Sequence, residues 1–361
     1  MNKFVIDTKD IIHNYGEITK LTNALVIPTL KADCYGLGAK KVFELLHAEC
    51  GVSLFAFSRL EEALPFCNRD CEILLLSCYH DNDSIEKIVQ NGITTSVDSF
   101  TQAKRISEYS VSQGKKTRVH IKIDTGFGRF GFNHQNLLEI ERVFSLDGIL
   151  VCGIFSHFSN AFGKSTDITD MQLDKFLGVC EHLTERGFNI GLRHIANSSA
   201  AVRDRKYRLD AVRVGSLLCG RLPMKSELDL KRVGRFETSI ADIRKLKRGS
   251  NIGYGNVFKL KKDTTVAVLL AGSADGVLIK KDYDTYRILD IARYGFNVFK
   301  MLLKDNRLTV TINGKKARTV GRVALTHTMV DVTDIECVCG DTAVIDISPL
   351  HVSSLVEREY I

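Results

Sequence analysis

Along the first two-thirds of the chain one plan repeats. A short, nearly continuous apolar run ends in polar residues, and a stretch with helical spacing follows. The runs fall at 25–30, 55–58, 73–77, 94–97, 118–123, 150–155, 192–196 and 211–218. Ahead of the first run, Ile11, Ile12, Tyr15, Ile18 and Leu21 share one helical face, with Thr8 or Asp10 as the N-cap. Met171, Leu173, Phe176 and Leu177 do the same before the seventh. Strands that are apolar on both faces and alternate with helices predict a parallel sheet covered by helices. Eight such strands close a (β/α)8 barrel of the TIM type. An open doubly wound sheet is the alternative. It calls for a GxGxxG turn after its first strand, and Tyr35-Gly36-Leu37-Gly38 is too short and follows a lysine.

Past residue 235 or so the texture changes. Segments 239–246, 251–260, 264–270, 308–312, 317–323 and 342–347 read as strands, and Asn313-Gly314 is a hairpin turn signal. The stretch 286–303 interrupts them, with Ile288, Ile291, Ala292, Phe296 and Phe299 at helical spacing. The expected organisation is a barrel over 8–235 and a mostly antiparallel β domain over 236–361, joined by an N-terminal strand at 1–7.

Composition narrows the function classes. The chain has 361 residues, 44% of them hydrophobic and 26% charged, as in ordinary globular proteins. The formal charge is +7, but the basic clusters Lys245-Leu246-Lys247-Arg248 and Lys280-Lys281 have acids close by, which argues against a nucleic-acid surface. Among the ten cysteines, Cys67 and Cys71 or Cys337 and Cys339 do not form a CxxC pair, and no paired histidines accompany them, so no metal site is expected. Thiols used this freely suit a reducing cytoplasm. The opening residues do not form a signal peptide, and no apolar run approaches the roughly 20 residues of a membrane span.

The informative residues stand at the ends of the runs. In a barrel of this kind chemistry belongs to the C-terminal ends of the strands. Here those ends carry Lys31, the segment 122–129 with Lys122 and Arg129, Ser156-His157, His194, Asn197-Ser198 and Arg213-Val214-Gly215-Ser216. A hydroxyl at Ser198 and backbone N–H groups at Gly215 and Ser216 suit a phosphate. Lys31 is then a candidate for condensing with the aldehyde of a phosphorylated cofactor. Singly, each residue has a plainer reading: a snorkelling lysine, a hydrogen-bonded core histidine or an ion-paired arginine.

Taken in order, Leu30-Lys31-Ala32-Asp33-Cys34-Tyr35-Gly36-Leu37-Gly38, the run 122–132, Gly153-Ile154-Phe155-Ser156-His157-Phe158, Ala196-Asn197-Ser198 and Val212-Arg213-Val214-Gly215 resemble the bacterial alanine racemase family. Gly253-Tyr254-Gly255 and the run 321–333 continue the likeness across nearly the whole chain. The resemblance implies a pyridoxal 5'-phosphate (PLP) enzyme acting as a head-to-tail homodimer. It implies that Lys31 holds PLP, that Tyr35 and Ser198 with the backbone at Gly215 and Ser216 hold its phosphate, and that Arg213 donates to the pyridine nitrogen. His157 and Asn197 complete the cofactor set. Lys31 and Tyr254, the latter from the partner subunit, become the two bases of racemisation. Arg129 and Leu325 face the substrate carboxylate, and Lys122 is a candidate for carbamylation. The expected reaction interconverts L- and D-alanine for cell-wall precursors. Racemisation of serine or another larger amino acid, and a non-catalytic PLP-binding protein on the same fold, are the alternatives.

The sequence departs from the family pattern in three places. Leu325-Thr326-His327 stands for Met-Asp-Gln, Ser273 for a tyrosine, and Ile347-Ser348-Pro349-Leu350 where Ser-Tyr-Glu is expected. Loss of two tyrosines widens a pocket built around a methyl group.

Overall fold

The computed structural model describes residues 2–67, 69–279, 288–303 and 307–361. The chain forms two compact units, Thr8–Val233 and the combination of Met1–Asp7 with Gly234–Ile361. Strand β1 (Lys3–Ile6) belongs to the second unit.

Unit Thr8–Val233 is the expected parallel barrel. Its strands are β2 (Leu25–Pro28), β3 (Leu54–Phe57), β4 (Glu72–Leu75), β5 (Thr94–Val97), β6 (Thr117–Asp124) with the two-residue β7 (Phe132–Asn133) beside it, β8 (Ile149–Phe155), β9 (Leu192–His194) and β10 (Ala211–Val214). Apart from β7, they pair in parallel in chain order, and β10 pairs back onto β2 with Ala211 opposite Leu25. A bridge between Thr29 and Ala56 joins β2 to β3 and nearly closes the ring. All eight apolar runs became barrel strands, because burial on both faces leaves no other place for them.

The helices between strands are set by local chemistry. Asp81 accepts the Ser84 N–H at 2.8 Å and starts the helix Asn82–Gln90; Ser99 does the same for Gln102 at 3.3 Å. The helix Ala39–Cys50 stops at Gly51, whose φ of 65° is left-handed. Its Phe43 packs on Phe55 of β3 and on Phe66, with ring centroids 4.3 and 4.8 Å apart, so strand and helix share one aromatic core. Inside the barrel, Ile27, Leu54, Ala56, Leu74 and Ala211 form an apolar plug. His120, Lys122, His194 and Arg213, on the strands of the same barrel, are buried as well.

The second unit is an eight-stranded sheet: β1, β11 (Arg235–Leu246), β12 (Thr264–Leu269), β13 (Thr309–Ile312), β14 (Lys315–Thr319), β15 (Thr328–Asp331), β16 (Thr342–Ile345) and β17 (Glu357–Tyr360). β11 pairs with both β12 and β16, so six of the strands form a closed ring, and only β1 with β17 is parallel. The hairpin at Asn313-Gly314 joins β13 to β14 as expected. The segment 251–260 is not a strand. Gly253 and Gly255 have φ of 75° and 74°, and a turn at Tyr254–Asn256 breaks the ladder to a single bridge between Asn251 and Lys259. Strands β15 and β17 were not legible as separate runs. The helix expected over 286–303 is Ile288–Leu303; positions 286 and 287 lie outside the described residues. Among the described residues no helix is long and apolar enough to cross a membrane.

Candidate active site

The C-terminal ends of the barrel strands surround a cavity of about 660 Å³. Lys31, Tyr35, Lys122, Arg129, His157, Asn197, Ser198, Arg213, Gly215 and Ser216 all line it. The barrel thus gathers side chains from positions nearly 200 residues apart in sequence.

The first of them is placed by an unusual backbone. Ala32, Asp33, Cys34 and Tyr35 all have φ between 51° and 56°, a full left-handed turn directly after Lys31. Such residues cost about 1–2 kcal/mol each relative to right-handed ones. The turn brings Tyr35 back against Gly215: a Cβ on residue 215 would lie 2.4 Å from the tyrosine hydroxyl. Residue 215 must therefore be glycine for Tyr35 to stay where it is. The Gly215 N–H donates to Ser198 Oγ at 3.1 Å, and Asn197 caps the short helix Ser198–Arg203 through the Ala200 N–H at 3.1 Å. Burial raises the Tyr35 phenol above its ordinary range, so it is a donor rather than an anion. The hydroxyls of Tyr35 and Ser198 and the turn at Gly215-Ser216 together form a cradle with no carboxylate among the cavity-lining residues.

Arg213 lies across the barrel interior with almost every donor engaged. It donates to His194 Nδ1 and, at 3.1, 2.7 and 3.3 Å, to the carbonyls of His194, Ser156 and Ile195. A further contact reaches His157 Nδ1 at 3.3 Å. Burial pushes its guanidinium down to about 9, which leaves it charged at neutral pH. These bonds fix the histidine tautomers. His157 and His194 each accept at Nδ1, so each carries its proton on Nε2. His194 Nε2–H then donates to His120 Nδ1 at 2.8 Å. Burial and Arg213 hold both His157 and His194 well below the usual imidazole value, and burial takes His120 down to about 4. All three are neutral at pH 7. Phe155 stacks flat on His194, centroids 4.9 Å apart, and lies under Arg213 at 5.1 Å.

Two lysines have weakened affinity for their protons. Burial, together with Arg129 and Arg213, pushes Lys31 below its ordinary value. Lys122, only 5% exposed, falls to about 8 through burial. It has no carboxylate within ion-pair distance among the described residues and instead lies 4.9 Å from the Phe155 ring. Asp124, its neighbour on the strand, is engaged elsewhere: its carboxylate accepts the N–H groups of Gly126, Phe127 and Gly128 at 2.9 to 3.2 Å. Burial opposes ionisation of Asp124, but those bonds hold it below its usual value. The tight turn they form sends Arg129 back over the Phe127 ring at 4.4 Å.

Tyr254 and Leu325 belong to the other unit. Both are exposed, 73% and 68%, on adjoining loops: a Cβ on Gly253 would lie 3.5 Å from the Arg322 N–H, and Ala274 N–H donates to the Leu325 carbonyl at 2.9 Å. The sequence reading missed His120 and Phe155. His120 was findable, since it precedes Lys122 by two on a strand and so shares its face. Among the described residues no cluster of metal-ligating side chains occurs.

Comparison with known proteins agrees along the whole chain. Residues 6–223 match the family model for the alanine racemase N-terminal domain, and residues 233–354 match that for the C-terminal domain. Alanine racemase 1 of Caldanaerobacter subterraneus subsp. tengcongensis is 34% identical over 93% of this chain and 82% of its own length. The alanine racemase of Clostridium tetani is 33% identical over 94% of this chain and 84% of its own. Among solved structures, alanine racemase from Clostridium difficile 630 superposes with a TM-score of 0.86 at 27% identity, covering all of this chain and 95% of that one. Alanine racemase from Bartonella henselae with covalently bound pyridoxal phosphate, at 24% identity and a TM-score of 0.82, shares the fold.

Proposed function

The chain belongs to the alanine racemase family, and from that premise we propose that it is a PLP-dependent homodimer interconverting L- and D-alanine by a two-base mechanism. The observation that carries the reading is the meeting of a weakened lysine, a carboxylate-free cradle and a buried arginine in one barrel mouth. Those three are what PLP needs: an amine for its aldehyde, donors for its phosphate and a partner for its ring nitrogen. Lys31 would hold it, with Tyr35, Ser198, Gly215 and Ser216 at the phosphate and Arg213 at the ring. The chemistry PLP supplies when bound is acidification of the Cα–H of an amino acid.

The chain's own residues supply the proton transfers. Lys31, whose ammonium form is disfavoured by burial and two guanidiniums, takes or returns the Cα proton on one face. Tyr254 from a second copy serves the other face. Its exposure within its own unit suits a residue completed by a partner. His157, neutral with its proton on Nε2, would hydrogen-bond that tyrosine, and the Arg213 charge behind it would favour the phenolate. Arg213 itself keeps its protons at neutral pH, so a ring nitrogen facing it stays unprotonated, which limits side reactions. Arg129 and the Leu325 loop would hold the substrate carboxylate. Lys122 fits carbamylation: its neutral amine adds to carbon dioxide, forming an N–C bond and releasing a proton, and the anion formed faces Arg129 and Arg213.

A larger substrate, serine first, is favoured by one observation: Ser273 and Pro349 stand where the family pattern has tyrosines. A panel of L-amino acids in D2O decides between them. Cα deuterium exchange and D-isomer formation with alanine alone support the first reading, exchange with serine at equal or higher kcat/KM the second. Exchange with neither would contradict racemisation. A cytoplasmic role in supplying D-alanine for cell-wall precursors follows from the first reading.

A further inference from the structure

The left-handed turn after Lys31 is strained, and its hydrogen bonds show what holds it. Within the turn Cys34 N–H donates to the Leu30 carbonyl at 2.8 Å, and just beyond it Ala39 N–H donates to Asp33 Oδ1 at 2.7 Å. At its entrance the N–H of Ala32, the residue next to the lysine, donates to Glu62 Oε1 at 2.8 Å. Glu62 comes from the short helix Leu60–Ala63 that follows β3. Its other carboxylate oxygen, Oε2, is buried without a hydrogen-bond partner among the described residues. A buried carboxylate oxygen left without a donor is costly and asks for a use.

The surroundings of Lys31 suggest that use. Facing the amine are Arg129 from the loop after β6, His157 after β8, Arg213 on β10 and, 5.6 Å from its Nζ, the Tyr35 ring. On the same helix side, Arg59, Glu61 and Glu62 all act on Tyr79, whose hydroxyl accepts the Leu60 N–H at 2.9 Å. Among the described residues, both guanidiniums oppose the ammonium form of Lys31, and Glu62 is the charge that favours it. A base needs its protonated form stabilised, and the cations that a phosphate and a carboxylate require work against that.

We propose that Glu62 is a positioning residue for Lys31: it pins the strained turn at the residue following the lysine and sets a negative charge beside the amine. The inference rests on the reading of Lys31 as the cofactor-holding lysine and base. It separates two functions of one side chain. The acceptor at Oε1 keeps the backbone in place, and the charge restores basicity that the arginines remove.

Glu62→Gln and Glu62→Ala in the full chain divide the two. Acetic anhydride labelling of the cofactor-free protein over a pH series, with the Lys31 peptide read by mass spectrometry, reports the amine directly. PLP titration by absorbance reports the turn. Glu62→Gln retains an acceptor for Ala32, so PLP affinity stays within about 3-fold, while the midpoint of Lys31 labelling moves to lower pH by about half a unit or more. Glu62→Ala moves the midpoint likewise and weakens PLP binding by roughly 10-fold. An unchanged labelling midpoint in Glu62→Gln overturns the proposal, and that variant alone suffices if the alanine variant does not fold. Labelling needs no cofactor, so a wild-type chain that never retains PLP on Lys31 after borohydride reduction counts against the cofactor reading and leaves the effect of Glu62 on the amine measurable.

Discussion

The two units handle chemistry in opposite ways. In the barrel, Lys31, Lys122, His157 and Arg213 are drawn into a half-dry interior, and burial moves all four away from their ordinary proton affinities. In the β unit, Tyr254 and Leu325 are mostly exposed on loops whose backbones are held by glycine turns and short hydrogen bonds. The barrel has built its cavity by packing. The β unit presents side chains with little packed around them. On the proposed reading, cofactor binding falls to the first unit and the second base to the other.

The contrast breaks most visibly by exchanging one residue from each side. Lys31→Ala should remove covalent PLP and lower racemisation by about 10⁴ or more. Tyr254→Phe should cost about 10²–10⁴ in kcat yet leave PLP affinity and the cofactor absorbance unchanged. Loss of cofactor in the tyrosine variant would mean that the β unit takes part in cofactor binding.

A smaller effect tests the cradle. Gly215→Ala puts a methyl 2.4 Å from the Tyr35 hydroxyl. An overpacked contact of this kind costs about 1–3 kcal/mol, so PLP affinity should fall roughly 5- to 150-fold. Fluorescence or absorbance titration reads it directly, and because ring carbons of Tyr35 lie as close to the added methyl as its hydroxyl does, Tyr35→Phe should not recover the loss.

The smallest effect concerns pH. His120, His157 and His194 have folded-state values below the unfolded one, so the unfolded chain binds more protons in the acid range. Their contribution to stability is complete above pH 6.5 and declines as pH falls toward about 4, the folded value of His120. Melting temperature should therefore drop over that window, and His120→Gln should flatten the drop. A melting temperature that holds steady from pH 6.5 to 4 would contradict a neutral histidine chain behind Arg213.

Much of this was legible in the sequence. The eight apolar runs announced the barrel because a parallel strand buried on both faces has no polar side to disguise it. The polar residues at their ends could be listed as cavity candidates since strand ends are fixed by the same pattern. What the pattern left hidden depended on backbone rather than side-chain type. The left-handed turn at 32–35 contains no glycine and reads as an ordinary loop. Segment 251–260 has the apolar content of a strand, and two glycines of positive φ undo it. His120 passed as a core residue because its partner His194 lies 74 positions away. Glu62 sits in a helix of four residues, and only the fold brings it to Ala32.

The central claim, that one barrel's cavity is completed by Tyr254 of a second copy, is tested most directly by mixing two inactive variants. Lys31→Ala and Tyr254→Phe chains are unfolded together, refolded as a 1:1 mixture and assayed for alanine racemisation. In a mixed dimer one barrel has its lysine and receives an intact tyrosine from its partner, while the other has neither. With half of the dimers mixed and one good site in each, activity should return to about one quarter of wild type. Activity no higher than the average of the two parent variants would show that Lys31 and Tyr254 do not act together across a dimer.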